Sequence, residues 1–174
     1  MAVLGVLSSL FPPPRYMLLP SAGVDISDSS LKYIQFRRDK RSGQHLKLIQ
    51  WGDIDIADGA LNRGDVTDGA KLTEALREVR ERTGVEYVRV SLPEERAYLF
   101  ETEIQKNTPY KEIRGKLEFT LEENVPLSPR DAHFDYHIFD DPLRKDALLV
   151  SVTVYAKDTI NSYYDACRAA GVMP

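Results

Sequence analysis

The stretch Gly23–Phe36, GVDISDSSLKYIQF, decides how the first half of the chain is interpreted. Apolar residues on both sides of a run of small polar residues predict two strands joined by a tight reversal. A P-loop runs from a strand into a helix, whereas this stretch continues as a strand after its turn. Any bound phosphate would therefore lie in the turn of a hairpin, held by backbone N–H groups and serine hydroxyls.

Two charged residues flank this turn and suggest how a nucleotide would be held. Asp25, on the strand before the turn, would hold a water of a phosphate-bound Mg²⁺, because magnesium usually keeps several of its waters. Lys32, on the strand after it, would add a point charge. The candidate phosphate ligands between them are Ser27, Asp28, Ser29 and Ser30. The structural alternative is that aspartate and serine are simply good turn residues.

Composition and charge exclude several classes of function. The chain has 174 residues, a formal net charge of −4 and a pI near 5.4, so no overall basic field would attract nucleic acid. Its one cysteine, Cys167, cannot form an internal disulfide, which indicates a reducing, cytosolic compartment. The apolar run Ala2–Phe11 is shorter than the roughly twenty residues of a spanning helix and has no basic residue before it, unlike a signal peptide. We expect residues 1–20 to form an arm that packs on its own domain or touches a membrane or partner.

The next residues predict three strands, a helix and a fourth strand. Leu31–Phe36 is apolar on both faces, which predicts a central strand covered on both sides. A third strand, bent near Gly52, is predicted by apolar residues of one parity: Leu46, Leu48, Ile54 and Ile56. The reversal between these strands, RRDKRSGQ, is interpreted as a solvated hairpin tip, with a contact to acidic lipid or a partner as the alternative.

A helix is predicted from an N-cap at Asp68 to a stop at Gly84. Its apolar stripe consists of Leu72, Ala75, Leu76 and Val79. The strand VEYVRVSLP follows and ends at Pro93, which places a boundary between two units near Pro93 to Ala97.

The second half predicts strand, helix, strand, strand and helix, a small α+β unit of its own. Its first helix has Thr108 as N-cap and Pro109 at the first helical position. The stripe predicted to be buried on this helix is Tyr110, Ile113, Leu117 and Leu121. The strand residues predicted to face inward are Tyr98, Phe100, Ile104, Phe134, Tyr136, Ile138, Leu148, Val150, Val152 and Val154. The closing helix runs from about Asp158 to Ala170, with Ile160, Tyr163, Tyr164 and Cys167 on its apolar side.

The usual catalytic arrangements do not occur, so no catalytic residue is predicted. His133 and His137 lie on a predicted strand, where about 13 Å separates residues four apart and prevents a shared metal ion. There is no cysteine pair, no nucleophile elbow and no P-loop motif. The acidic pairs are best explained as solvated faces: Glu94–Glu95, Glu101 with Glu103, and Glu122–Glu123.

From about Ala22 to its last residue, the sequence resembles the PilM family of type IV pilus assembly proteins, bacterial members of the actin-like ATPase group related to the division protein FtsA. The family's phosphate hairpin has the pattern G-[IL]-D-[IL]-G-x-x-[SA]-[VIL]-K. It is matched by Gly23, Val24, Asp25, Ile26, Ser30, Leu31 and Lys32, with Ser27 in place of the second glycine. Three further segments match in order: VSLPEERAYLF, LEFTLEENVPLSPRDAHFDY and ALLVSVTVYAKDTINSYYDACRAAGV.

The resemblance implies an α/β fold with an actin-like, ribonuclease-H-like first subdomain and an inserted SHS2-type α+β subdomain. It assigns residues 1–20 to the arm, 21–94 to subdomain 1A, 95–171 to subdomain 1C, and 172–174 to the start of a return to a second half. Family members are about twice as long as this chain. The resemblance therefore supplies only their first half.

The resemblance also implies a cytoplasmic scaffold, peripheral to the inner membrane, that binds ATP with Mg²⁺ and the cytoplasmic tail of a single-pass pilus protein, PilN. In the family this tail lies in a groove between the two subdomains, and an extended tail needs apolar pockets and backbone partners. The candidate tail-binding residues are Val90, Leu92, Tyr98 and Phe100. The alternatives are a sugar-type kinase fragment of the same superfold and a secretion scaffold of GspL type, with self-association as a further option. ATP would bind in the longer family member, and no catalysis is expected from this chain alone.

Overall fold

A computed structural model describes residues 19–38, 46–139 and 146–174. It divides into two compact units: unit 1, comprising Met1–Asn62, Val66–Leu92 and Tyr164–Pro174, and unit 2, comprising Arg63–Asp65 and Pro93–Tyr163. The predicted second domain, 95–171, thus runs further along the chain than unit 2 does. Most of the predicted arm, most of the RRDKRSGQ reversal and most of the DDPLRKD link lie outside the described residues.

Unit 1 contains a four-stranded sheet in the order β3-β2-β1-β6. The strands are β1 (Ser21–Ile26), β2 (Ser30–Arg38), β3 (Leu46–Asp55) and β6 (Tyr87–Ser91). β1 pairs antiparallel with β2 and parallel with β6, and β2 pairs antiparallel with β3. Two short strands, β4 (Leu61–Asn62) and β5 (Asp65–Val66), pair with each other. The four strands predicted in the first half are observed in the predicted order, and β4 and β5 are additional short strands that were not predicted.

Helix α1 (Gly69–Thr83) packs on β2 and β3 and closes one face of this sheet. Its caps are the predicted ones. The Asp68 carboxylate accepts hydrogen bonds from the amides of Ala70 and Lys71, and Gly84 adopts a left-handed conformation with φ 65°. The buried residues of α1 include the whole predicted stripe: Leu72, Thr73, Ala75, Leu76 and Val79.

The predicted burial of β2 is wrong for one of its faces. Leu31 and Tyr33 are buried, whereas Ile34 and Phe36 are 39% and 45% exposed. β2 is therefore central in the order of strands, but among the described residues only one of its faces is covered.

The predicted parity of β3 is wrong as well, because the strand contains a bulge. Gln35 pairs with Gln50 but Phe36 pairs with Leu48, which leaves Ile49 as the extra residue. Since side chains alternate along a strand, one extra residue turns Leu46 and Leu48 away from the face that buries Ile54 and Ile56.

The predicted bend near Gly52 has a different explanation. A Cβ atom at Gly52 would lie 2.8 Å from the hydroxyl oxygen of Tyr33, so glycine at this position makes room for a buried tyrosine ring. The irregularity of the strand is instead the bulge at Ile49.

Unit 2 contains an antiparallel sheet in the order β7-β9-β8, with helix α2 (Tyr110–Asn124) packed on one face. Its strands are β7 (Tyr98–Gln105), β8 (Ala132–Phe139) and β9 (Ala147–Ala156). A short 3-10 turn, Glu94–Arg96, precedes β7. The core consists of Ile104, Ile113, Leu117, Leu121, Val125, Ala132, Val150, Val152 and Val154, flanked by half-buried Phe100, Leu127, Phe134, Tyr136, Ile138 and Leu148.

The predicted start of α2 needs two corrections. The helix begins at Tyr110 with Pro109 as its N-cap, one residue later than predicted, and no side chain caps it. Tyr110 is 76% exposed, because it lies at the first residue of the helix, before the turns that pack on the sheet. The other three residues of the predicted stripe are buried as expected.

Helix α3 (Lys157–Ala169) follows β9 directly. Tyr163 and Cys167 are buried as predicted, whereas Ile160 is only half-buried and Tyr164 is 39% exposed. Of the helices that the structure describes, none combines the length and the apolar character needed to cross a membrane.

Candidate functional site

The β1–β2 turn is closed by its own polar groups. The amide N–H and the side-chain hydroxyl of Ser27 both donate to the carbonyl oxygen of Ser30, at 2.9 Å each. The two serine hydroxyl oxygens lie 3.1 Å apart, and the amide of Ile56 donates to the carbonyl oxygen of Ser29. Both hydrogen-bond donors of Ser27 are thus used within the turn and are not available to a phosphate. Ser27 is the position where the family pattern has glycine.

The strand register places Asp25 and Lys32 side by side. They are direct cross-strand partners on β1 and β2 and both are exposed. The same register adds Asp53 of β3 opposite Lys32 and Ser91 of β6 opposite Asp25. A polar row, Ser91–Asp25–Lys32–Asp53, therefore crosses the open face of the sheet, and neighbouring side chains in such a row lie about 5 Å apart.

Asp53 and Ser91 were missed as site candidates. Each is an ordinary polar residue on a predicted strand, and only the pairing of that strand with β1 or β2 brings it next to Asp25 or Lys32. The weak signal available was the parity of Asp53, which differs from that of the buried residues Ile54 and Ile56.

The predicted magnesium role of Asp25 involves one exposed carboxylate beside the turn. Within residues 19–38, 46–139 and 146–174, no group of three or more acidic, histidine or cysteine residues is arranged to hold a metal ion. Asp25 is exposed and lies next to Lys32. Its carboxylate can accept hydrogen bonds from the waters of a phosphate-bound Mg²⁺. The water-mediated role predicted for Asp25 is the one to test.

The four predicted tail-binding residues lie on β6, β7 and the segment between them. Val90, opposite Val24 of β1, and Leu92 are half-buried in unit 1. Phe100 is half-buried and packs against the core of unit 2. Tyr98 starts β7 and is 38% exposed. Tyr98 is thus the most accessible of the four.

The segment that leads into β7 is anchored by hydrogen bonds within unit 2. The Tyr155 hydroxyl donates to the carbonyl oxygen of Pro93 at 3.2 Å, and Arg96 Nε donates to the carbonyl oxygen of Arg63 at 2.8 Å. Burial raises the pKa of Tyr155, and the charges of Glu94 and Glu95 add to this effect. Tyr155 therefore keeps its proton at neutral pH and can serve as a donor, which fixes the start of β7.

The histidines do not form a site with each other. His133 and His137 both lie on β8, which confirms the predicted strand, and both are exposed. His137 makes an edge-on contact with Phe139, with 4.6 Å between the ring centroids.

Comparison with known proteins identifies the family. The sequence matches the family described as type IV pilus assembly protein PilM over residues 23–174. No curated protein matches this sequence.

Two solved structures are similar to the chain in fold. The first, "PilM-PilN type IV pilus biogenesis complex", is 22% identical with a TM-score of 0.76 and matches 89% of this chain and 46% of that one. The second is the cytoplasmic domain of EpsL, an inner-membrane component of the type II secretion system of Vibrio cholerae. It is 16% identical with a TM-score of 0.57 and matches 87% of this chain and 53% of that one. The chain thus spans about half the length of the structures it matches.

The fold and the family agree. The mixed α/β architecture is similar to that of the PilM structure, which confirms the fold predicted at this coarse level. The family match runs from Gly23 in the first hairpin to the last residue. The chain therefore belongs to the family of the type IV pilus assembly protein PilM.

Proposed function

We propose that this chain is the part of a type IV pilus assembly scaffold that binds a membrane protein's tail. The observation that carries the proposal is the family match over residues 23–174. The similar fold of PilM in a complex with PilN supports it. The protein would be cytoplasmic and held at the inner membrane by its partner. On this account unit 1 corresponds to the actin-like subdomain 1A and unit 2 to the SHS2-type subdomain 1C.

The proposed partner is the short cytoplasmic tail of a single-pass inner-membrane protein of PilN type. An extended tail is recognised through main-chain hydrogen bonds and pockets for alternate side chains. Tyr98 suits such a contact because it combines a large ring with a hydroxyl and is partly exposed at the start of a strand. Phe100, two residues further along the same strand, is half-buried against the core of unit 2.

The test is a titration of the chain with a synthetic peptide of this tail, using two neighbouring variants. Tyr98 pairs with Val154 on the core side of the sheet, whereas Leu99 pairs with Thr153 on the other side and is 66% exposed. Tyr98→Asp should weaken binding by about tenfold or more, which corresponds to about 1.4 kcal/mol. Leu99→Asp introduces the same charge one residue away and should leave the affinity unchanged.

The proposal fails if the folded wild-type chain binds the peptide neither with Mg-ATP nor without it. Equal losses in both variants would indicate a general electrostatic effect rather than a contact at Tyr98. Circular dichroism on each variant establishes that the protein is folded.

We also propose that the β1–β2 turn wraps the β- and γ-phosphates of ATP. Asp25 acts through a magnesium-bound water, Lys32 serves as a nearby cation, and the polar residues of the turn supply donors. Because Ser27 closes the turn with both its donors, binding requires these bonds to Ser30 to rearrange. Actin-like proteins hold nucleotide between two halves, so the chain alone should bind ATP weakly and hydrolyse none.

Calorimetry on the chain and on a longer form that includes the second half tests the nucleotide site. In the longer form, Asp25→Ala and Lys32→Ala should each weaken Mg-ATP binding by about 1–3 kcal/mol. Lys47→Ala is the control, since Lys47 is an exposed lysine of the same sheet at the opposite end of β3. Unchanged affinity in the first two variants would leave the turn as purely structural, and tight binding by the 174-residue chain would place the pocket elsewhere.

A second candidate is a scaffold of a type II secretion system, which the similarity to the EpsL cytoplasmic domain favours. The two candidates share a mechanism but differ in their partner. Binding of a secretion-system tail, together with no binding of a PilN-type tail, would favour the second.

A further inference from the structure

One face of the unit 1 sheet carries apolar side chains that no described residue covers. This outer patch is formed by Ile34, Phe36, Leu46, Leu48 and Trp51, which are 39%, 45%, 63%, 44% and 71% exposed. Isolated apolar residues at a surface are ordinary, but a contiguous group of this size indicates a contact surface.

The strand register makes the outer patch continuous. Ile34 pairs with Trp51 and Phe36 pairs with Leu48, so two apolar rows lie next to each other on β2 and β3. The bulge at Ile49 is what brings Leu46 and Leu48 to this face. Helix α1 contacts the same two strands, and the residues buried with it lie on the opposite face: Leu31, Tyr33 and Ile54.

The charged positions on the face of the outer patch balance one another: Asp25 and Asp53 are acidic, while Lys32 and Arg38, which pairs with Leu46, are basic. The adjoining row on the same face carries Asp25 and Asp53 with Lys32 between them. Arg37 and Lys47 pair with each other one position beyond the Phe36–Leu48 pair. Because side chains alternate along a strand, they point to the other face of the sheet. This face therefore has no excess of positive charge that would attract acidic headgroups, and an uncharged apolar segment fits it.

The sequence contains such a segment outside the described residues. Residues 1–14, MAVLGVLSSLFPPP, contain no charged residue, and most of residues 2–11 are apolar. The segment joins the sheet beside the patch: Ala22 pairs with Gln35, so Ser21 at the start of β1 lies next to Phe36. The linking residues 12–20 can extend about 30 Å, whereas the distance from β1 across to β3 is two strand spacings, about 10 Å.

We propose that the N-terminal residues 2–11 bind the outer patch of their own chain. The apolar run then has a defined role as a cover for β2 and β3. The proposal is independent of the tail-binding function and of ATP.

Trp51 is the only tryptophan in the sequence, so its fluorescence reports directly on the outer patch. The test compares Leu7→Asp/Leu10→Asp with Ser8→Asp/Ser9→Asp, which adds the same charge at the same segment without removing apolar side chains. The first variant and a deletion of residues 2–11 should each shift Trp51 emission to the red and increase its quenching by acrylamide. The second should match the wild type.

Equal emission and quenching in the wild type and in the deletion would overturn the proposal, as would equal effects in the two double variants. If Trp51 became protected only at high protein concentration, the occupant would be a second copy of the chain. If it became protected only on adding vesicles of anionic lipid, the occupant would be a membrane. Either outcome also overturns the proposal, and far-UV circular dichroism confirms folding in each variant.

Discussion

The two sheets of this protein each have a helix on one face, and they differ in how well strand periodicity identifies the residues of that face. In unit 2, α2 covers one face of the β7-β9-β8 sheet, and the residues predicted to be inward on β8 and β9 are the ones in or against the core. In unit 1, α1 covers one face, and the other carries the outer patch and the polar row. In unit 2, periodicity predicts the inward-facing residues of β8 and β9. In unit 1, which contains the candidate site, periodicity assigns Leu46 and Leu48 of β3 to the wrong face.

This difference follows from the bulge in β3. Strand periodicity is two, so one extra residue reverses the face of every residue beyond it. The sequence offers no local sign that Ile49 is the extra residue, since it is a strand-forming residue among others. The four predictions below sharpen the comparison between the two units.

The largest effect is expected in the core of unit 2. Leu117 is fully buried between α2 and the sheet, so Leu117→Ala should reduce the free energy of unfolding by about 2–5 kcal/mol. Phe119→Ala is the matched control on the same helix, because Phe119 is 85% exposed, and it should change stability by less than about 0.5 kcal/mol. Urea denaturation measures both. A loss below about half a kcal/mol for Leu117→Ala would show that the position of α2 on the sheet is wrong.

A smaller effect, of opposite sign in the two units, is expected for glycine substitutions. Gly52→Ala would place a Cβ atom 2.8 Å from the Tyr33 hydroxyl oxygen and should destabilise unit 1 by about 1–3 kcal/mol. Gly115→Ala on α2 meets nothing within 4 Å and should stabilise the helix by about 0.5–1 kcal/mol. Thermal or urea denaturation gives the sign of each change. Stabilisation by Gly52→Ala would contradict the close packing of Tyr33 against β3.

Removing the N-cap of α1 should reduce stability by less than the core and glycine substitutions do. Asp68→Ala removes the acceptor of two amide hydrogen bonds and should cost about 1 kcal/mol of unfolding free energy. Glu81→Ala, an exposed acidic residue of the same helix, should have an effect within about 0.5 kcal/mol. If the two losses were equal, Asp68 would contribute no more than an ordinary exposed residue of the helix and would not act as a cap.

The smallest effect on stability at neutral pH concerns Cys167, which is 1% exposed in unit 1. Burial raises the pKa of its thiol to about 11, above the value of about 8.5 for a free cysteine. The folded state therefore holds this proton more tightly, and the resulting stabilisation is complete below about pH 8.5 and is lost as the pH rises through about 11. At pH 8 a thiol reagent should modify the folded protein much more slowly than the urea-unfolded chain. Equal rates would contradict the burial of Cys167.

Much of the fold could be predicted from local patterns. The caps of α1 at Asp68 and Gly84 and the hairpin of β1 and β2 follow from residues close together in sequence. The exposure of Tyr110 could not be predicted, because helical periodicity alone does not reveal where the packed part of a helix begins.

For the candidate site, the sequence predicts the hairpin residues but not their neighbours. Asp25 and Lys32 flank a recognisable turn, whereas Asp53 and Ser91 join them only through strand pairing. The closure of the turn by Ser27 could not be predicted either, since it depends on the direction of a hydroxyl group. Whether this turn binds ATP stays a prediction.

The central proposal is that the chain binds an extended tail through residues that include Tyr98 of β7. Hydrogen–deuterium exchange of the chain with and without a PilN-type tail peptide tests it most directly. The account predicts slower exchange of backbone amides in residues 87–105 on adding the peptide, and unchanged exchange in β8. No change in residues 87–105 at saturating peptide, or protection confined to β8, would contradict it.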